Sequence, residues 1–262
     1  MSDSLKPRIG TRDVKIGTFV FEFATPGIGQ ILRAAGADYA VLDMEHSALG
    51  FDTVRACIQF MRAGGLPVIV RVPSKAHDHL ARAMDAGADG VMVPMVGSVA
   101  QARTVLDAVK YHPRGKRGVA LGMAADRFAD GGGSLSERFA RHNARTIVML
   151  QIEDPAGAEA ADEMAAMDGV DVLWVGHNDL SVALGEPGAF GSPAFLAAER
   201  KAIDAARRHG KSAGRLAVDA AQARAFVAMG YDFVSIATDI ALLQGALREG
   251  IRTVRGERPA DQ

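Results

Sequence analysis

Ala35-Gly36-Ala37-Asp38, running directly into the apolar Tyr39-Ala40-Val41-Leu42, decides how the whole chain reads. The same arrangement returns three times. Ala86-Gly87-Ala88-Asp89 precedes an apolar run at 91–95, Asp168-Gly169-Val170-Asp171 precedes 172–175, and Met229-Gly230-Tyr231-Asp232 precedes 233–236. Each instance predicts a helix that stops at a glycine in the left-handed conformation, after which the chain turns straight into a buried strand. Strands of a parallel sheet covered on both faces read as continuous apolar runs, without alternation.

Working outward from these junctions yields eight strands, at 16–22, 39–44, 67–72, 90–95, 146–152, 171–176, 212–216 and 233–237. Helical patterns lie between them. Val54, Cys57, Ile58 and Met61 recur at helical spacing, as do Val99, Ala102, Val105, Leu106 and Val109. Eight strand–helix alternations in 262 residues point to α/β architecture and a single closed (β/α)8 TIM barrel, with a short polar C-terminal tail. One connection is anomalous. The stretch at about 111–143, with Gly131-Gly132-Gly133, is too long for an ordinary loop and reads as a mobile, lid-like covering segment.

Composition narrows the function classes. Thirty basic against 31 acidic residues leave a formal charge of -1, so no bulk field would recruit nucleic acid or an anionic membrane. One cysteine, Cys57, excludes an internal disulfide and the Cys-rich zinc patterns. No apolar run approaches the ~20 residues needed to span a bilayer, and the stretch before Ile16 does not read as a signal peptide. A cytoplasmic protein acting on a small molecule is expected.

In a parallel barrel the chemistry sits at the C-terminal strand ends. There the sequence places Asp43-Met44-Glu45-His46, Arg71, Gln151 and Glu153, Asp179 and Arg215. Glu153 and Asp179 would stand side by side on neighbouring strands, where two carboxylates repel unless a cation lies between them. Oxygen ligands favour a hard divalent ion such as Mg²⁺ or Mn²⁺. Taken singly, Asp179 could instead cap the following helix and Glu153 could be a solvated loop acid. His46 can serve as a general base if Asp43 fixes its tautomer, and Arg71 offers a cationic fork for an oxyanion. No lysine falls at a strand end, which disfavours Schiff-base chemistry.

Asp43-x-Glu45-His46, Arg71, Val93-Pro94-Met95-Val96, the run from Tyr111-His112-Pro113 to Arg117-Gly118, Gln151-Ile152-Glu153 and Gly176-x-x-Asp179-Leu180-Ser181 resemble, in order and spacing, the HpcH/HpaI aldolases. These are metal-dependent pyruvate aldolases of the phosphoenolpyruvate/pyruvate barrel superfamily. The resemblance implies cleavage of 4-hydroxy-2-oxo acids to pyruvate and an aldehyde with Mg²⁺, Mn²⁺ or Co²⁺. It implies that Glu153 and Asp179 hold the metal, that Gln151 contacts the keto acid and that Arg71 holds the keto oxygen. His46 with Asp43 would be the acid–base dyad, with Glu45 in support. Backbone amides of Asn178 and Asp179 would take the carboxylate, and Leu216 would border the aldehyde end. It further implies a homohexamer, a trimer of dimers, in which Asp85 reaches a neighbour's site.

His177-Asn178, His112 and Arg215 depart from the commoner pattern. Arg215 or His177 is therefore expected to select an anionic or hydroxylated aldehyde. Rival expectations are an acyl-CoA carbon–carbon lyase (malyl-, citramalyl-CoA or citrate lyase β-like), a phosphate-handling isomerase barrel, and a keto-acid-binding barrel without turnover.

Overall fold

In the computed structural model, which describes residues 4–129 and 131–256, eight parallel strands close in sequence order. They are β1 (Lys15–Val20), β2 (Tyr39–Asp43), β3 (Val68–Arg71), β4 (Gly90–Val93), β5 (Ile147–Ile152), β6 (Val172–Val175), β7 (Ser212–Ala217) and β8 (Phe233–Thr238). The eight strands expected from the sequence are all present, with ends differing by one or a few residues. The helices are α1 (Ile28–Ala34), α2 (Phe51–Ala63), α3 (His77–Asp85), α4 (Val99–Val109), α5 (Leu135–Arg145), α6 (Pro155–Glu159), α7 (Ala161–Ala166), α8 (His177–Ala183), α9 (Pro193–Arg208), α10 (Ala220–Met229) and α11 (Asp239–Arg255). The fold is a (β/α)8 TIM barrel. No helix among the described residues is long and apolar enough to cross a membrane.

The four repeated junctions share a second device beyond the glycine. Gly36, Gly87, Gly169 and Gly230 all have φ between +91° and +113°, as a helix stop requires. The aspartate two residues on then clamps the preceding strand. Carboxylates of Asp38, Asp89, Asp171 and Asp232 accept from the backbone N–H of Ile16, Val68, Val148 and Ala213 at 2.8–3.0 Å. The backbone N–H of each aspartate returns a bond to the carbonyl of that same residue. An otherwise orphaned strand-entry amide is thereby satisfied at the N-terminal end of β1, β3, β5 and β7.

Strand parity sorts the side chains into two cores. Phe19, Tyr39, Val41, Ile69, Met92, Ile147, Met149, Val172, Trp174 and Phe233 fill the barrel interior. Residues of the opposite parity, such as Val20, Ala40, Leu42, Val70, Leu150 and Val175, join the helices in the outer layer. Two residues apart on a strand means the same face; one apart means opposite faces. Val54, Cys57, Ile58 and Met61 line the buried stripe of α2 as their spacing predicted. The floor is closed by a segment the sequence reading passed over. Leu5 and Ile9 pack on the interior core, while Lys6 Nζ donates to Asp171 at 2.6 Å.

One expectation needs correction. The segment at 111–143 does not cover the C-terminal mouth of its own barrel. It connects α4 to β5, and a connection that enters a parallel strand must lie at the N-terminal end. There it buries Tyr111 against Phe139 of α5, with Arg117 beside it, and α5 is started by a capping box between Ser134 and Glu137. The last helix, α11, runs to Arg255, and of the expected polar tail residues 257–262 lie outside the described residues.

Candidate active site

Asp43, Arg71, Gln151, Glu153 and Leu216 have the parity of the interior core and so face the barrel axis at its C-terminal end. Arg71 is the best-held member. Its Nη2 donates to Asp43 Oδ2, its Nη1 lies 3.2 Å from Glu45 Oε2, and its guanidinium stands 5.1 Å from the Phe19 ring centre. Arg71 Nε is buried without a hydrogen-bond partner. A cation is thus fixed at the mouth with a donor left open.

Asp43 is fully buried, and its Oδ1 accepts from the backbone N–H groups of Glu45 (2.7 Å) and His46 (3.1 Å). Both oxygens are therefore occupied, and neither meets the His46 ring. The carboxylate near that ring is Glu45, whose Oε2 lies 3.6 Å from His46 Nε2. The dyad read from the sequence is corrected accordingly: Asp43 fixes Arg71 and the backbone that carries His46, while Glu45 neighbours the imidazole. His46 itself is exposed to the mouth.

Glu153 is buried and aimed by two donors. Met95 N–H donates to Oε2 at 2.7 Å and Gln151 Nε2 donates to Oε1 at 2.9 Å. Met95 can do so because it leaves β4 with φ +55°, an unusual conformation for a non-glycine residue. Beside it, the end of β6 passes so close that a Cβ on Gly176 would overlap Glu153 Oε1. That close approach sets the first turn of α8, and with it Asp179, next to Glu153. Asp179 is exposed in that turn and does not cap the helix; Gly176 occupies the N-cap position. Burial pushes the Glu153 carboxyl up to about 7, with Glu45 and Asp179 adding repulsion. Burial likewise raises Glu45, with Asp43 and Asp179 pushing the same way.

Among the described residues no three His, Cys, Asp or Glu side chains form a metal cage. The donor set available to a cation is the Glu153–Asp179 pair, completed from outside the chain. Its fit is electrostatic: mutually repelling carboxylates, one of them buried, with Gln151 Oε1 unpartnered nearby. An oxygen-liking divalent ion suits this arrangement.

Three sequence expectations part from the geometry. Arg215 has the parity opposite to Leu216 and points into the outer layer. There it pairs with Glu199 of α9 and stacks over Phe226 at 4.2 Å. Glu199 also accepts from Tyr231 Oη at 2.7 Å. Arg215 therefore does not face the aldehyde end of its own site. His177, 5.1 Å from Phe190 in an edge-to-face contact, is held neutral by burial and by Arg215, its pKa lowered to about 4. Asp85 ends α3 at the opposite end of the barrel, where Arg117 Nη2 donates to it at 2.5 Å, so one chain does not bring it to Glu153.

Sequence reasoning missed what Met95 does for Glu153, and missed Asp239. The carboxylate of Asp239 accepts from the amides of Phe21, Glu22 and Phe23 at 2.8–3.1 Å, shaping the loop after β1. Its signal was position: a first-turn acid immediately after the last strand.

Comparison with known proteins matches residues 15–246 to the family described as HpcH/HpaI aldolase/citrate lyase. A hydroxypyruvate/pyruvate aldolase of Pseudomonas aeruginosa is 34% identical, covering 97% of this chain and 94% of that protein. A 5-keto-4-deoxy-D-glucarate aldolase of Shigella dysenteriae is 30% identical with 94% of each covered. The crystal structure of an HpcH/HpaI aldolase from Desulfitobacterium hafniense superposes with a TM-score of 0.88 at 31% identity over 99% of both chains. The chain belongs to the HpcH/HpaI aldolase/citrate lyase family, a family of carbon–carbon lyases.

Proposed function

We propose that this protein is a metal-dependent aldolase that cleaves 4-hydroxy-2-oxo acids to pyruvate and an aldehyde, and runs the reverse addition. The observation that carries the reading is the convergence of Glu153, Asp179 and Arg71 at one mouth, two acids awaiting a cation beside a fixed guanidinium. Relatives named as aldolases support the same class. Glu153 and Asp179 would hold a divalent ion, Mg²⁺, Mn²⁺ or Co²⁺. When bound, such an ion supplies Lewis-acid polarisation of a 2-oxo acid.

The protein's own groups do the rest. First-turn amides of α8, at Asn178 and Asp179, have no intrahelical acceptor and suit the carboxylate of the keto acid. Gln151 aims Glu153 with its amide N–H and keeps its carbonyl oxygen free toward the substrate. Arg71, held by Asp43, faces the keto oxygen as negative charge develops there. His46 takes the proton of the 4-hydroxyl, steadied by Glu45, and the bond between carbons three and four then breaks to release the aldehyde. A proton delivered to the remaining three-carbon unit completes pyruvate. Leu216 borders the space for the aldehyde portion.

The protein is further proposed to act in the cytoplasm as a homohexamer, in which Asp85 contributes to a neighbour's site. Two exposed apolar surfaces support self-association. On α11, Leu243, Leu247, Ile251 and Val254 form an exposed apolar stripe. An apolar groove of about 460 Å³ lies uncovered between β1, β8 and α10, lined by Val14, Ile16, Ala223, Val227 and Ile236.

Pyruvate release from a 4-hydroxy-2-oxo acid tests the reaction. It should vanish with chelator and return with Mg²⁺, Mn²⁺ or Co²⁺. Metal binding without turnover across a broad panel of 2-oxo acids would overturn it.

A further inference from the structure

At the end of the barrel away from the mouth, the segment following α4 folds over a cluster of cations. A cavity of about 40 Å³ is enclosed there by Arg62, Arg117, Arg127, His142, Arg145 and Asp89, among others. At roughly 10–15 Å³ per water, it has room for about three waters or one tetrahedral oxyanion.

The guanidiniums are short of acceptors. Arg62 Nη1 donates to the Ala124 carbonyl at 2.7 Å, and Arg145 Nη2 donates to the Ala125 carbonyl and to His142 Nδ1. All three acceptors are neutral. Arg117 is 3% exposed; its Nη2 is taken by Asp85, but Nε and Nη1 are buried with no partner, as is Arg62 Nε. Arg127 enters with φ +59° and its side chain makes no hydrogen bond among the described residues. Against these stands one lining carboxylate, Asp89, with Oδ2 already accepting from Val68 N–H. His142 donates through Nε2 to Asp126 at 2.6 Å, so its neutral ring adds no charge of either sign. Burial pushes Arg62 and Arg145 below the ordinary arginine range, with Arg127 adding repulsion on both, while Asp89 on both and Asp126 on Arg145 pull the other way.

Open N–H groups, excess positive charge and a small, mostly buried volume together suit an anion. Unpaired buried donors and like charges are each costly, and one oxyanion relieves both. We propose that this cavity binds a small tetrahedral oxyanion, a phosphate group, clamped by Arg62, Arg117, Arg127 and Arg145. Gly87 belongs to the same construction. A Cβ there would lie 2.8 Å from Arg62 Nη1, so the glycine of this junction admits the guanidinium as well as turning the chain. None of its lining residues faces the mouth of the same chain, so its phosphate binding is measured apart from the aldolase reaction; only Arg117, through Asp85, touches the proposed subunit contact.

Calorimetric titration of the full-length protein with inorganic phosphate, against chloride at equal ionic strength, tests the proposal. Saturable phosphate binding with a raised Tm is expected, unchanged by saturating pyruvate. Arg127→Ala, at an exposed side chain with no bond to lose, should weaken it about tenfold, the scale of one charge-assisted hydrogen bond. Arg62→Met should do the same. A phosphate monoester titrated in parallel identifies the natural form: tighter binding than phosphate indicates a headgroup, equal or weaker binding a free ion. Absence of saturable binding overturns the proposal. So does undiminished binding in both variants, or competition by pyruvate, which would place the anion at the mouth.

Discussion

The two ends of this barrel treat buried polar atoms in opposite ways. At the N-terminal end, Asp38, Asp89, Asp171 and Asp232 each close a reciprocal pair of bonds with the strand beside them. At the C-terminal end, Arg71 Nε and Gln151 Oε1 are buried with nothing to bond. Closed pairs hold a structure together, whereas open ones are tolerated where something else will bind. The difference separates residues that keep the barrel shut from residues that act. It also explains why the arginine cavity draws notice: it is a patch of open groups at the closed end.

Arg215 gives the hardest test of that division, because it sits at the height of the mouth but faces outward. Arg215→Met should cost about 3–5 kcal/mol in chemical unfolding, since Glu199 would be left as an uncompensated buried charge. Its turnover, measured below the melting range, should fall equally for anionic, hydroxylated and small neutral aldehydes. A selective loss on anionic ones would break the comparison.

Arg71 should behave in the reverse manner. Arg71→Met is expected to lower kcat by about 10²–10³, as for loss of an oxyanion donor. Adding Asp43→Asn should recover folding stability but not rate, because Asp43 acts through Arg71. A further loss of rate in the double variant, beyond that of Arg71→Met alone, would instead assign Asp43 to His46.

A smaller effect is expected from the clamps. Asp171→Ala orphans the Val148 amide and should destabilise by about 1–3 kcal/mol, with KM and kcat untouched in assays below the Tm. A change in kcat would mean that the closed end communicates with the mouth.

A last effect is one of pH. Lys110 is buried with Nζ donating to the Asn143 and Thr146 carbonyls, and desolvation lowers its pKa to about 7. Between that value and the ordinary lysine range the unfolded chain carries a proton that the folded chain does not. Stability therefore rises with pH across this window, by up to roughly 1.4 kcal/mol per pH unit. Lys110→Met should flatten the rise in denaturant melts at pH 7 to 10.

How much of this was readable in the sequence follows from which periodicities leave a mark. Four glycine junctions and eight apolar runs were enough for the closed barrel, because helix stops and buried strands have strong local signatures. Asp43, Arg71, Gln151 and Glu153 were legible as strand-end polar residues on apolar runs. Parity was available but unused: Arg215 and Leu216 are neighbours on β7 and cannot both face the axis. The partner of Asp43 was not legible, since Arg71 and His46 lie at similar reach and only the backbone path decides between them. The long segment was misplaced for want of a topological step, as any αβ connection returns to the floor. Met95 acts through its own backbone N–H, and Asp239 through backbone amides of a distant loop, which composition does not record. The arginine cavity was hidden because Arg62, Arg117, Arg127 and Arg145 are dispersed along 84 positions and meet only in the folded chain.

Whether the open mouth is built for a cation can be measured directly. Mn²⁺ titrated into metal-free protein, followed by calorimetry and by electron paramagnetic resonance of the free ion, should show one ion bound per chain. Glu153→Gln and Asp179→Asn, each folded by circular dichroism, should both lose it. Mn²⁺ binding of undiminished affinity in the two variants would contradict the account.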